Sequence, residues 1–258
     1  MGERIRQCYI PENMKKSFSY FFEKYSLDYY KDREKPSLFF SGWSCSPIKK
    51  HKSLGVVIWR GTDITNDKIL SLKNKKYIYH IAVSSFIKED LKNQNIKYKF
   101  IPVVGRDMSI FIPTLLGNEI YAYAPYNDNL KYFKRYGMDI IKKIQKKIRY
   151  KINIIKYSNK YSRKEMKEIY NLCFCGLRLT EHDGIPSQVI EMGLMGRKSF
   201  YNGGIPGSIK WNKKDIDSIV EGIKEEAKKI GTIDYDYSDK IKNFINIGDN
   251  WLNVRNWI

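Results

Sequence analysis

The chain has 258 residues, with 47 Lys and Arg against 28 Asp and Glu, a formal net charge of +19. Hydrophobic residues make up 42% and aromatic residues 14%, which excludes a disordered basic tail, a collagen-like chain and a disulfide scaffold. No apolar run approaches the roughly 18 residues needed to cross a bilayer. The N-terminal Met1-Gly-Glu-Arg-Ile-Arg6 lacks the apolar stretch of a signal peptide, and Arg6 stands where a myristoylation signal wants Ser or Thr. Cysteines at 8, 45, 173 and 175 form no C-x-x-C pair, so reduced, buried thiols of a cytosolic protein are expected rather than a zinc site.

In chain order, Met14, Phe18, Phe21, Phe22 and Tyr25 recur at helical intervals and predict an amphipathic helix over 12–30. Strand-like apolar runs follow at 37–41, 55–59, 77–83 and 99–103, with a helix-like segment at 85–93. Gly105, Pro113 and Gly117 break residues 104–118, where a domain boundary is expected. The alternation restarts with a strand at 119–124, a long helix around 128–149 and a strand at 151–156. Ser162-Arg-Lys-Glu165 is a capping box opening a helix through Tyr170. A strand at 173–179, a helix at 186–195 and a strand at 198–201 come next. Asn212 is read as the cap of a helix to about Lys229, and a last helix starts near Ser238.

Strand-sized runs apolar on both faces, alternating with helices, point to parallel sheets built from β-α-β units. The expected architecture is α/β: two Rossmann-like domains facing a cleft, the first one reduced. Residues 1–105 form the N-terminal acceptor-side domain and 106–118 the linker. Residues 119–240 form the C-terminal domain, and 241–258 a terminal helix that packs back on the first. Ligands of open parallel sheets bind beyond the strand C-termini, which directs attention to the loops there.

The densest basic run, Lys142 to Lys151, carries Ile141, Ile144 and Ile148 at helical spacing. It reads as a solvated helix face opposite a core stripe, with a membrane-surface patch and a nucleic-acid patch as the alternatives. No zinc-finger spacing, RNP-like aromatic strand or helix-turn-helix accompanies it, so no nucleic-acid partner is expected.

Chemistry concentrates in Leu177-Arg-Leu-Thr-Glu-His-Asp-Gly-Ile-Pro-Ser-Gln-Val-Ile-Glu191. A strand ends, Gly184 frees the backbone, and Pro186 suits the start of a helix. Main-chain N–H groups near Ile185, Ser187 and Gln188 can cradle a phosphate or a sugar hydroxyl, helped by the helix dipole. Asp183 in the loop and Glu191 eight positions later can accept hydrogen bonds from two ends of one polyol.

Asp183 to Glu191, with Thr180 before and Gly196 after, resembles the acid–seven residues–acid motif of retaining GT-B glycosyltransferases, family 4-like and dependent on nucleotide sugars. Ile81-Ala-Val-Ser-Ser-Phe-Ile-Lys-Glu-Asp-Leu91 followed by Phe100-Ile-Pro-Val-Val-Gly-Arg-Asp-Met108 resembles the run that enters the linker in the same family. The resemblance covers about residues 55–230 and implies transfer from a nucleotide-diphosphate sugar to a glycan, lipid-linked or protein-linked acceptor. It implies that Glu191 holds the donor ribose, that Asp183 lies beside the donor sugar, and that the backbone from Gly184 through Ile185 and Pro186 to Ser187 meets sugar and diphosphate. The candidate catalytic residues are accordingly Asp183 and His182, His182 being either a partner of the sugar or a surface side chain.

Arg178, at the strand end, is a candidate for the diphosphate or for a salt bridge. The family's Gly-rich loop after its first strand is missing here, with Gly42 and Trp43 standing in its place. The customary diphosphate-binding Arg and Lys are also missing, and Lys131, Lys134 and Arg135 are nearby substitutes. On the acceptor side Trp59, Arg60, Thr62 and Asp63 end a strand, with core packing as the alternative for Trp59 and His80. No cofactor or metal is implied. A cytoplasmic location is expected, with peripheral association at a membrane surface as an option. A catalytically inactive nucleotide-sugar or glycan-binding protein of the same fold is the alternative function.

Overall fold

The computed structural model describes residues 3–40, 45–61, 64, 66–124, 134–156 and 161–258. Gly42, Trp43, Thr62, Asp63 and Lys131 lie outside the described residues. The chain forms two units: Met1–Asp107 with His182–Ile185 and Ile245–Ile258, and Met108–Glu181 with Pro186–Phe244.

The first unit holds six parallel strands in the order β2-β1-β3-β4-β5-β6. They are β1 (Gln7–Tyr9), β2 (Asp28–Tyr29), β3 (Ser37–Phe40), β4 (Gly55–Trp59), β5 (Ile78–Ala82) and β6 (Lys99–Phe100). Every residue of β3 and β4 is buried, as befits strands covered on both faces. Helices α1 (Ser19–Tyr25), α2 (Cys45–Lys50), α3 (Asn66–Lys73) and α4 (Ser85–Asn93) connect them.

The helix expected over 12–30 is shorter. Residues 12–18 form a 3-10 turn, and α1 ends at Ser26, whose φ of 49° is left-handed. That stop frees residues 28–29 to become the edge strand β2. Strand β6 also covers only two residues of its expected run, because Pro102 has no N–H to extend the ladder.

The second unit holds four parallel strands, β7 (Glu119–Ala124), β8 (Ile152–Lys156), β9 (Cys173–Leu177) and β10 (Lys198–Phe200), in the order β10-β9-β7-β8. Its helices are α5 (Met138–Gln145), α6 (Arg163–Asn171), α7 (Ser187–Leu194), α8 (Ile216–Ala227) and α9 (Tyr235–Ile245). The capping box is formed: Glu165 N–H donates to Ser162 Oγ, and Ser162 N–H to Glu165 Oε2 at 2.7 Å. Asp215 rather than Asn212 caps α8, and Asn212 instead closes a turn by accepting from Lys214 N–H. In place of a terminal helix over 241–258, α9 stops at Ile245. Two 3-10 turns follow, pairing with residues 3–5 of the first unit through Ile5 N–H to Leu252 and Val254 N–H to Glu3.

The basic run lies on α5 and the turn after it, with Ile141 and Ile144 buried and Lys142, Lys143, Lys146 and Lys147 exposed. The core-stripe reading therefore holds. Cys8, Cys173 and Cys175 are buried free thiols, and burial pushes the Cys173 thiol up to about 12. No helix among the described residues is long and apolar enough to cross a membrane.

Arg197 is fully buried at the start of β10. Its Nε donates to the carbonyls of Tyr170 (2.8 Å) and Cys173 (3.0 Å), Nη2 to Leu115 (2.7 Å), and Nη1 to Met195 and Thr114. Burial lowers its pKa to about 10, still far above neutrality, so the charge stays. Arg197→Met should strand several of these carbonyls and lower unfolding free energy by about 3 kcal/mol in urea titrations. Arg197→Lys should recover little of it, because a point ammonium cannot span the same fork.

Candidate functional site

In the four-stranded sheet β7 is central: the chain leaves it for β8 on one side and returns to β9 on the other. In open parallel sheets ligands bind beyond the strand C-termini at such a reversal, which directs attention to the ends of β7 and β9. Tyr123 lies at the end of β7 and Arg178 directly follows β9. The Arg178 guanidinium sits over the rings of Tyr123 (4.9 Å) and Tyr136 (4.8 Å) and is almost fully buried. Aromatic faces replace part of the water that a buried cation loses, so Arg178 is held at the sheet edge by its neighbours. Arg135 is half-buried just before α5, and Lys134 beside it is exposed.

Helix α7 starts at Ser187, with Pro186 in extended backbone (φ −72°, ψ 123°) as its N-cap and no side chain capping it. The first N–H groups of a helix have no intrahelical acceptor, and Pro186 supplies no side-chain acceptor. Among the buried polar atoms of this unit that lack a hydrogen-bond partner among the described residues are Thr180 Oγ1, just beyond β9, and Gln188 Nε2, in the first turn of α7.

Glu191 is the fifth residue of α7 and is 5% exposed, so it is not a solvated helix residue. Its Oε2 accepts from the Tyr170 hydroxyl at 2.8 Å. Tyr170, the penultimate turn residue of α6, is fully buried, with its ring edge-on to Tyr121 at 5.1 Å. Burial and the adjacent Glu191 carboxylate hold the Tyr170 phenol well above its ordinary pKa, so it remains a donor. Sequence reasoning passed over Tyr170; its sole signal was an aromatic at the end of a capped helix, which core packing explains equally well.

His182, Asp183, Gly184 and Ile185 belong to the first unit, whereas Pro186, Ser187 and Glu191 belong to the second. The loop is pinned by main-chain contacts. Ser84 Oγ donates to the Asp183 carbonyl at 2.8 Å, and Asp183 Oδ1 accepts from its neighbour Gly184 N–H at 2.9 Å. A Cβ on Gly184 would fall 1.7 Å from the Arg60 carbonyl oxygen, and Gly61 opposite has a φ of 143°. Both glycines are therefore required by close backbone approach. His182 Nε2 lies 2.7 Å from Asp90 Oδ2, and its ring rests on Phe86. Asp90, half-buried on α4, was not singled out in the sequence because nothing local marks it.

On β4 the structure corrects one expectation. Trp59 is fully buried and its indole N–H donates to His80 Nδ1 at 3.0 Å, with the two rings stacked, so it is a core residue and presents no face to a sugar. Arg60 follows with its guanidinium over Phe18 (4.6 Å) and Phe40 (4.9 Å).

No family model and no curated protein sequence matches the chain. Solved structures do resemble it. The sucrose-phosphate synthase of Thermosynechococcus elongatus aligns with a TM-score of 0.61 and 11% identity over 92% of this chain and 76% of that one. The fold is that of the GT-B glycosyltransferases. TarM aligns with a TM-score of 0.58 and 12% identity over 92% of this chain and 56% of that one. The pneumococcal O-GlcNAc transferase GtfA, in complex with UDP and GlcNAc, gives 0.51 and 11% over 82% of this chain and 54% of that one. The chain thus spans little more than half the length of TarM and GtfA, and at these identities the similarity is one of fold.

Two variants test the local packing. Gly184→Ala should expel the loop from the Arg60 carbonyl, read as faster amide exchange at 182–185 with the melting temperature of the second unit kept. Burial lowers the His80 pKa from 6.5 to about 4, so the unfolded chain binds the extra proton first. Stability should then fall as pH drops from about 6.5 towards 4, by about 3 kcal/mol for this group, and His80→Gln should flatten that slope.

Proposed function

We propose that the chain is a retaining glycosyltransferase that takes a nucleotide-diphosphate sugar and transfers the sugar to a glycan, lipid-linked or protein-linked hydroxyl. The observation that carries this reading is the buried Glu191 carboxylate, set by Tyr170 on a helix that follows the central crossover of a parallel sheet in a GT-B fold. A carboxylate in that place suits the two hydroxyls of a ribose. The uncapped start of α7 and Arg178 over its two rings, with Arg135 nearby, suit the diphosphate, whose charge grows as it leaves. Unpartnered Thr180 and Gln188 add polar groups close in sequence to the same helix start. Two of the structures that share the fold were solved with UDP, GtfA and a variant of S. aureus TarM.

In this proposal the loop from His182 to Ile185 meets the donor sugar, and Arg60, with Thr62 and Asp63 following it, meets the acceptor. The acceptor hydroxyl attacks on the face from which the diphosphate departs. Positioning and charge stabilisation then supply most of the rate, and neither a resident cofactor nor a metal is invoked. The exposed Lys142 and Lys143 of α5, with Lys146 and Lys147 in the turn after it, are the surface that would carry peripheral association with an anionic membrane.

One observation favours the second reading, a binding protein of the same fold without turnover. Both candidate catalytic side chains are engaged locally, Asp183 with Gly184 N–H and His182 with Asp90.

A thermal-shift screen against UDP-, GDP-, ADP- and dTDP-sugars should raise the melting temperature for one base. Glu191→Gln should weaken that donor at least tenfold, about 1.4 kcal/mol, in calorimetry with the fold intact. Unchanged affinity would refute the site. Product release with the anomeric configuration kept, read by NMR, separates the transferase from the binder.

A further inference from the structure

Resting on the reading of Glu191 as the donor-binding acid, we infer that Tyr170 is a positioning residue for the nucleotide. Its phenol holds one oxygen of Glu191 and so sets the plane in which the carboxylate meets the ribose.

The 2.8 Å bond joins two buried groups on different helices, α6 and α7. Tyr170 is itself held on three sides. Its ring packs edge-on against Tyr121 at 5.1 Å and tilted against Phe111 at 6.0 Å. Its carbonyl accepts from Arg197 Nε at 2.8 Å. A ring so confined keeps its hydroxyl beside the Glu191 carboxylate. A Glu side chain has three rotatable bonds, and a carboxylate left free would lose that freedom each time ligand bound. The phenol removes it in advance. The direction of the bond is also settled, since a carboxylate only accepts and the phenol keeps its proton.

Tyr170→Phe keeps the ring and its packing and removes only the hydroxyl. The probes are UDP, GDP, ADP and dTDP, with affinity measured in calorimetry for whichever binds the wild-type chain. Tyr170→Phe should weaken that nucleotide about tenfold, and in an assay raise KM for the donor by a similar factor with kcat unchanged. In a Glu191→Gln background the same substitution should cost less than about threefold, because the carboxylate it positions is gone.

Equal losses in both backgrounds would mean that Tyr170 acts through general packing, and would overturn the inference while leaving Glu191 in its role. Wild-type affinity in Tyr170→Phe would also overturn it. Wild-type affinity in Glu191→Gln, or binding of none of the four nucleotides, would instead remove the reading of Glu191 on which the inference stands.

Discussion

A guanidinium without water around it must be matched by partners or the unit that buries it cannot form. Arg197 meets this condition with main-chain carbonyls from four places: the segment entering β7, the end of α6, the start of β9 and the end of α7. These carbonyls lie at the ends of elements or in the segments that join them. One side chain thus satisfies the loose ends on one side of the second unit and fixes their relative positions. Tyr170 is among the residues it holds, and Tyr170 holds Glu191. The candidate donor carboxylate is placed through two links from a residue with no role in binding.

The same economy recurs at the strand ends. Arg178 beyond β9 and Arg60 beyond β4 each lie over two aromatic rings, one pair in each unit. Aromatic faces hold a cation near the strand ends, where ligands of parallel sheets bind. The loop from His182 to Ile185 is fixed differently, by removal of side-chain bulk. Gly184 and Gly61 let two backbones touch where any Cβ would separate them.

Strand runs such as 55–59 and 119–124 were legible because strands of a parallel sheet are apolar on both faces and the helices between them are not. Helix 85–93 and the Ser162–Glu165 box were equally plain, since caps and period are local. Short elements were not legible. Strand β1, strand β2 and helices α2 and α3 contain few apolar residues, and their pairing partners are distant in the chain. The motif from Asp183 to Glu191 announced a strand-loop-helix turn correctly, but Trp59 beside it was ambiguous: a tryptophan at a strand end serves a core or a ligand equally.

What the sequence determined on its own was the kind of object: parallel α/β, with an acidic loop and a helix start after a strand, because periodicity and capping act over a few residues. Tertiary structure alone decided which side chains became a site. Whether Glu191 faced water or Tyr170, whether Trp59 met solvent or His80, and what Arg197 neutralised all depend on groups tens of positions apart in the chain. Burial and hydrogen bonding between such groups are settled only when the sheets assemble, since a carboxylate, an indole or a guanidinium carries no local mark of the partner it will meet.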